Sequence, residues 1–317
     1  MKRMYKMHET SIILLLLIYI AIVGMINPSF VQLNSLSLMM KSSVILVVLA
    51  IGQSFVLFTK NIDVSVGSIM GLSAAVCGML LTDGYHAFLS ILAAILLGAI
   101  LGFINGIGVA KFRVPAIIMT LGMLGIIRGA MLIFTGGKWI EDIPNNFKQL
   151  SSIVIFGLPI IVWVVLIILL LLYFFLRKVP FGRYFYAVGD NEDGARLIGI
   201  PVNKVKIYAF IISGISAALA GCIFVMNIGF VPNQTGTGIE LQVIAAAVLG
   251  GIHLKGGTGS IVGAALGAVF LEAISSSLVF LKIPAFWNNA ISGFLLLVIV
   301  ILDSVMKKWK AERRMNL

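Results

Sequence analysis

Apolar runs bounded by polar, Gly or Pro residues recur at about 11–26, 36–58, 64–82, 88–110, 114–135, 153–176, 205–228, 239–252, 259–281 and 287–305. Most approach the roughly 20 residues that a helix needs to cross the hydrocarbon core of a bilayer. The pattern predicts an all-α polytopic membrane protein of about ten transmembrane helices, forming one domain over residues 1–317. Two spans are expected to be interrupted. NIDVSVGS (61–68) places Asn61, Asp63 and Ser65 at the start of the third, and VPNQTGTGIE (231–240) opens the eighth, whose apolar run is only about 14 residues. Irregular backbone at membrane depth survives where protein or a wet cavity satisfies its polar groups, so both segments point to a transport path. Asp63, Ser65, Thr235 and Thr237 would equally serve as helix caps, and the two roles are compatible.

Charge orients these spans. With the N-terminus inside, eighteen of the 23 basic residues fall on inner segments, six of them between 177 and 206 and five after 306. Outer loops keep Lys138, Lys148 and Lys282, while Lys41 and Arg128 fall within spans. The positive-inside rule therefore places both termini in the cytoplasm. The basic, apolar N-terminus lacks a small-residue cleavage site before Asn27-Pro28 and is read as an uncleaved first span.

Composition agrees: 60% of residues are hydrophobic and 11% charged, where soluble domains carry about a quarter, and mean hydropathy is +1.12. A water-soluble globule is excluded. The net charge of +11 becomes a topology signal, with membrane lipids rather than nucleic acid as the surroundings. Cys77 and Cys222 stand singly in apolar runs and His8, His86 and His253 are scattered, so spacing offers no metal site, disulfide framework or catalytic constellation.

The halves echo each other. Leu97-Gly98-Ala99 with Val114-Pro115-Ala116 recurs as Leu266-Gly267-Ala268 with Ile283-Pro284-Ala285, running the opposite way across the membrane, the pattern of an inverted repeat. The glycine ladders Gly98, Gly102, Gly106 and Gly259, Gly263, Gly267 match at a different offset and read first as packing seams. Arg128 lies about 21 Å into its span and must face a partner or a wet cavity. Glu272, inside the ninth span, is read as a snorkelling or pair-forming acid.

The inner loop 177–206 contains a capping pattern. Asp190 or Asn191 can cap a helix over Glu192 to Ile198, Gly199 can take the left-handed position after it, and Pro201 stops continuation. Held between two spans, it suggests a docking helix for a cytoplasmic partner.

FGRYFYAVGDNEDGARLIGI, NIDVSVGS and TGTGIELQVIAAAVLGGIHLKGGTGSIVGAALG resemble the permease subunits of ribose-type ATP-binding-cassette sugar importers, over about residues 35–305. Within that branch TGGKWIEDIP, IGFVPNQTGTG and the LKIPAFWN run are most similar to the autoinducer-2 import type. The resemblance implies a second permease or a second copy of this chain, an external substrate-binding protein, and a separate cytoplasmic ATPase using ATP and Mg. No G-x-x-x-x-G-K-S/T phosphate loop occurs here, and KGGTGS (255–260) lacks the Lys. The resemblance places Asp190, Asn191, Glu192, Ala195, Arg196 and Gly199 in the ATPase groove, with 177–206 as the coupling loop. It implies a small furanose-like substrate, with Asn61, Asp63, Asn233, Gln234 and Asn288 meeting its hydroxyls and Arg128 shaping the cavity potential. Permeases for ribose, xylose or rhamnose, and an ion-driven secondary carrier, are the competing readings. The cell (inner or plasma) membrane is the expected location.

Overall fold

A computed structural model describes residues 2–284 together with 287, 288, 290, 291, 293, 294, 297, 298 and 301. The chain runs α1 (Lys2–Ile26), a 3-10 turn (Pro28–Val31), α2 (Leu33–Phe58), α3 (Val66–Thr82), α4 (Ala87–Ala110), α5 (Ala116–Thr135) and α6 (Asn145–Leu150). It continues through strands β1 (Val154–Ile155) and β2 (Leu158–Pro159), then α7 (Ile160–Lys178), α8 (Pro180–Asp190), α9 (Glu192–Leu197), α10 (Val202–Ile228), α11 (Ile239–Leu249) and α12 (Ile261–Phe280).

Seven of these helices are long and apolar enough to cross a membrane: α1, α2, α4, α5, α7, α10 and α12. Two further expected spans appear as the shorter apolar helices α3 and α11. The tenth, 287–305, lies largely outside the described residues. The run expected at 153–176 is corrected at its start, because β1 and β2 pair antiparallel there with Val154 opposite Pro159, and the helix begins at Ile160. Gly157 at φ 79° makes that turn, which a helix cannot contain.

Buried shares of 67% for α10, 61% for α12 and 56% for α2, against 11% for α1, distinguish the interior helices from the periphery. Helix α10 packs on α2, α3 and α4, while α12 packs on α1, α2 and α11. Leu14, Ile18 and Ile22 of α1 and Leu96, Ile100 and Phe103 of α4 are exposed, as lipid-facing residues should be.

Apolar burial drives little association in lipid, so close backbone approach has to do so. On α4, Gly98, Gly102 and Gly106 lie against the backbone of Gly214, Phe210 and Ile207 of α10, where a Cβ would collide. The second ladder serves a different neighbour: Gly263 and Gly267 face Ala246 of α11 and Gly250 just after it, and Gly259 lies before α12 begins. The two ladders are therefore not equivalent seams. Helices α3 and α4 pack together and on α10, while α11 and α12 pack together and on α2.

Both interruptions are present. Residues 59–65 separate α2 from α3, and 229–238 separate α10 from α11. With eleven residues, α11 extends about 16 Å, roughly half the hydrocarbon thickness.

Candidate transport path and coupling surface

Lys60 turns the backbone out of α2 at φ 63°, and the segment that follows closes around Asp63, which is fully buried. Asp63 Oδ1 accepts from Ser65 N–H at 2.9 Å and from Ser65 Oγ at 2.6 Å, and Oδ2 accepts from Ser213 Oγ of α10 at 2.9 Å. Asn105 of α4 donates to Ser65 Oγ at 2.8 Å, and Val64 N–H donates to Thr120 Oγ1 of α5 at 3.1 Å. Gln53 of α2, its amide oriented to satisfy both groups, donates to the Asp63 carbonyl at 3.3 Å and accepts from its N–H at 3.2 Å. Four helices thus satisfy one irregular segment. The geometry makes Asp63 a fastener rather than a wall of an open path.

The other candidate path residues do not converge on it. Asn61 donates to Thr59 O at 2.8 Å and lines a cavity of about 500 Å³ shared with Arg113, Glu192, Arg196 and Lys206. Arg128, about 18 Å along α5, donates to the Thr235 carbonyl at 2.7 Å. Glu240 Oε1 accepts from Gly238 N–H at 3.3 Å and forms no ion pair with Arg128 among the described residues. Asn233 donates to Gly137 O at 2.8 Å, and Gln234 is exposed. Asn288 accepts from Ser275 Oγ of α12 at 2.8 Å.

A bridge between Ile140 and Val231 and the stacked rings of Trp139 and Phe230 join the segment after α5 to the loop 229–238. Arg128 and Asn233 reinforce that seam. Glu272 of α12, expected to snorkel or pair, makes no hydrogen bond or ion pair among the described residues. Cys77 of α3 and Cys222 of α10, far apart in sequence, are both buried and lie against each other, unbridged.

The capping pattern in 177–206 folds as the spacing dictates. Asn191, rather than Asp190, is the N-cap of α9, its Oδ1 accepting from Gly194 N–H at 2.9 Å, and Gly199 follows at φ 82°. Ala195 is buried and roots the helix. Glu192 accepts from Lys206 Nζ at 2.7 Å and Arg196 Nη2 at 3.0 Å. Partial burial alone would raise the Glu192 carboxyl pKa, but the bonded Lys206 ammonium and Arg196 outweigh it and hold it below the ordinary 4.5.

Two residues that the sequence did not single out complete the surface. Leu197 is 88% and Ile198 77% exposed, beside the charged residues of α9. A helix continuous with the loop, α8, was also unforeseen. It is strongly two-faced, with Phe185 and Val188 buried and Arg183 exposed.

The loop 177–206 is fixed to the bundle through backbone. Gly257 N–H donates to Phe58 O, the end of α2, at 3.0 Å. Gly189 lies against both groups, and Gly257 at φ 72° lies against Asp190, leaving no room for a Cβ at either position. The end of α2, the end of α8 and the loop before α12 therefore meet at one point.

No solved structure matches this chain. Among curated proteins, the autoinducer 2 import system permease protein LsrC of Yersinia enterocolitica serotype O:8 / biotype 1B is 47% identical over 299 residues, covering 94% of this chain and 83% of its own. The permease of the same name from Escherichia coli O157:H7 is 46% identical, covering 94% and 87%. A family model described as a branched-chain amino acid transport system permease component matches residues 35–300. With that match over most of the chain and seven helices able to cross a bilayer, the chain belongs to this family of multi-pass membrane permeases.

Proposed function

We propose that this chain is one permease subunit of an ATP-binding-cassette importer that carries autoinducer-2 into the cell. The observation that carries this reading is α9: a short capped helix, ion-paired to α10, that presents Leu197 and Ile198 to a partner. Exposed large apolar side chains beside charged ones outside the spans suit docking into a groove. A separate cytoplasmic ATPase, using ATP and Mg, supplies that groove. Asp190, Asn191, Glu192 and Arg196 form its polar rim, while Ala195 and Gly199 set the shape of the helix. The substrate follows from the permeases that share 46–47% of the sequence, whose names specify autoinducer 2 import.

In this reading ten helices span the membrane, both termini are cytoplasmic, and the packing of α3–α4 and α11–α12 expresses an inverted repeat. Chemistry on the substrate is not required. A second permease covers the open face of α5, where Gly122, Gly125 and Gly129 meet nothing among the described residues. An external binding protein delivers substrate to the end opposite α9. Asp63 organises the path from behind rather than lining it. The seam of Arg128 with Thr235, and the outer residues Asn233 and Gln234, contribute to the gate. Asn61 belongs to the coupling end, and Asn288 supports α12.

Reconstitution in proteoliposomes with the second permease, the ATPase and the binding protein tests the assignment. ATP-dependent accumulation of autoinducer-2 in preference to ribose, xylose and rhamnose is expected. Accumulation of ribose alone would overturn the substrate. Uptake by this chain alone that collapses with an ionophore would replace the importer with an ion-driven carrier.

A further inference from the structure

Glu272 faces a cavity of about 320 Å³ between α2, α10, α11 and α12, lined also by Ser42, Asn227, Thr237 and Gln242. Asn227 uses its Nδ2 on the Lys41 carbonyl at 3.4 Å, and its Oδ1 is buried without a partner. An adjoining cavity of about 320 Å³, lined by Lys41, Lys148 and Gln149, shares Asn227 and leads toward α6. Two acceptors, a carboxyl and an amide oxygen, thus lack donors at the same place.

The chemistry of the lining selects the occupant. A lipid tail would strand Glu272 and Asn227 Oδ1, at a cost of about 1–3 kcal/mol for the amide oxygen alone. An anion would meet the Glu272 carboxyl, and a small cation would lie next to the cavity that Lys41 and Lys148 line. A neutral molecule with several hydroxyls can donate to both acceptors and exchange bonds with Thr237, Gln242 and Ser42.

We propose that this cavity is a subsite for the polyhydroxylated cargo, with Glu272 and Asn227 accepting from its hydroxyl groups. The inference rests on the importer reading and places cargo recognition at residues apart from the Asp63 fastener and the Arg128 seam.

The test is thiol protection in the reconstituted importer. Gln242→Cys is reacted with a membrane-impermeant thiol reagent, with Thr237→Cys as an independent position, and the native Cys77 and Cys222 are buried. Occupancy slows reaction by the factor one plus ligand over Kd, so autoinducer-2 at about ten times its Kd is expected to slow labelling about tenfold. Introducing Glu272→Leu should abolish the protection, and 2-methyltetrahydrofuran, the ring without hydroxyls, should give none. Equal protection by that ring, protection unchanged by Glu272→Leu, or no reaction at either cysteine in folded protein overturns the subsite. Uptake without protection sinks the subsite and leaves the importer standing. Protection without ATP-dependent uptake does the reverse.

Discussion

Removing the Asp63 carboxyl should damage the fold far more than replacing it with an amide. Asp63→Ala strands the Ser65 N–H, for about 1–3 kcal/mol, and deprives the Ser65 and Ser213 hydroxyls of their acceptor. The Ser213 hydroxyl can turn to a carbonyl one turn back in α10, and Ser65 Oγ still accepts from Asn105, so the hydroxyls recover part of the loss. With the small void left behind, the expected total is about 3–5 kcal/mol. Asp63→Asn keeps one oxygen for both Ser65 donors and turns an NH2 toward Ser213, whose hydroxyl can reverse and accept, so about 1 kcal/mol is expected. Thermal unfolding in detergent, followed by size exclusion, should rank wild type, Asn and Ala in that order, with Ala well separated. Uptake per folded transporter should survive in Asn. The reverse result would refute this reasoning: Ala as stable as wild type, with Ala and Asn equally unable to transport. Asp63 would then be a charge in the path and not a fastener.

Gly98→Val should disrupt the crossing of α4 and α10 by forcing side-chain carbons into the Gly214 backbone, costing at least about 3 kcal/mol in the same assay. Gly125→Ala meets open space on α5, and in the isolated chain it should raise stability by about 0.5–1 kcal/mol. The Glu192 bonds stabilise α9 above the ordinary carboxyl value of 4.5, and the contribution disappears as pH falls through the lowered folded-state value. Because the Glu192 side chain is 40% exposed, the stabilisation is screened to under about 1 kcal/mol. Hydrogen exchange in α9 should therefore distinguish wild type from Glu192→Gln at pH 7, and the two should converge under strongly acid conditions. Leu197→Asp with Ile198→Asp should leave detergent stability unchanged and abolish ATPase capture; undiminished capture would remove α9 as the docking element. Reversing Glu192 and Arg196 together should uncouple ATP hydrolysis from uptake while insertion persists.

The local features were legible because their causes are local. Asn191, Gly194 and Gly199 lie within one short stretch, so spacing alone could place the cap and the stop of α9. The interruptions at 59–65 and 229–238 were equally readable, since polar and Gly residues break an apolar run wherever it folds. What spacing could not say was whether Asp63 faced a cavity or a closed knot. That depends on Ser213, 150 residues away, which the apolar pattern of α10 does not mark as a partner. The surroundings of Glu272 were illegible for the same reason: the cavity it lines brings together Asn227 of α10 and Gln242 of α11, far from it in sequence. The exposed Leu197 and Ile198 were hidden by composition, because two apolar residues carry no signal in a chain that is 60% hydrophobic.

The distribution of hydrogen bonds and close approaches separates a stiff body from a lighter seam. Asp63 holds the start of α3 against α10, Asn105 brings in α4, Gln53 brings in α2, and the glycines of α4 admit the α10 backbone directly. Displacing any one of these elements alone would strand buried polar groups, so they must move together. Helix α9 belongs to this body, because α8 ends against Phe58 and Gly257 through backbone contacts that no side-chain rotation can absorb. The end of α8, from which α9 continues, is thus joined to the end of α2 through backbone. By contrast, the loop 229–238 meets α5 and the segment after it through one Arg128 bond, one Asn233 bond, a single bridge and one ring stack. Toward α3 the same loop is held closely, the Gly236 and Thr235 carbonyls lying against Gly67 and Gly71 with no room for a Cβ. Both interrupted segments are thus anchored to α3 or its start, 59–65 through buried side-chain hydrogen bonds and 229–238 through backbone laid against Gly67 and Gly71.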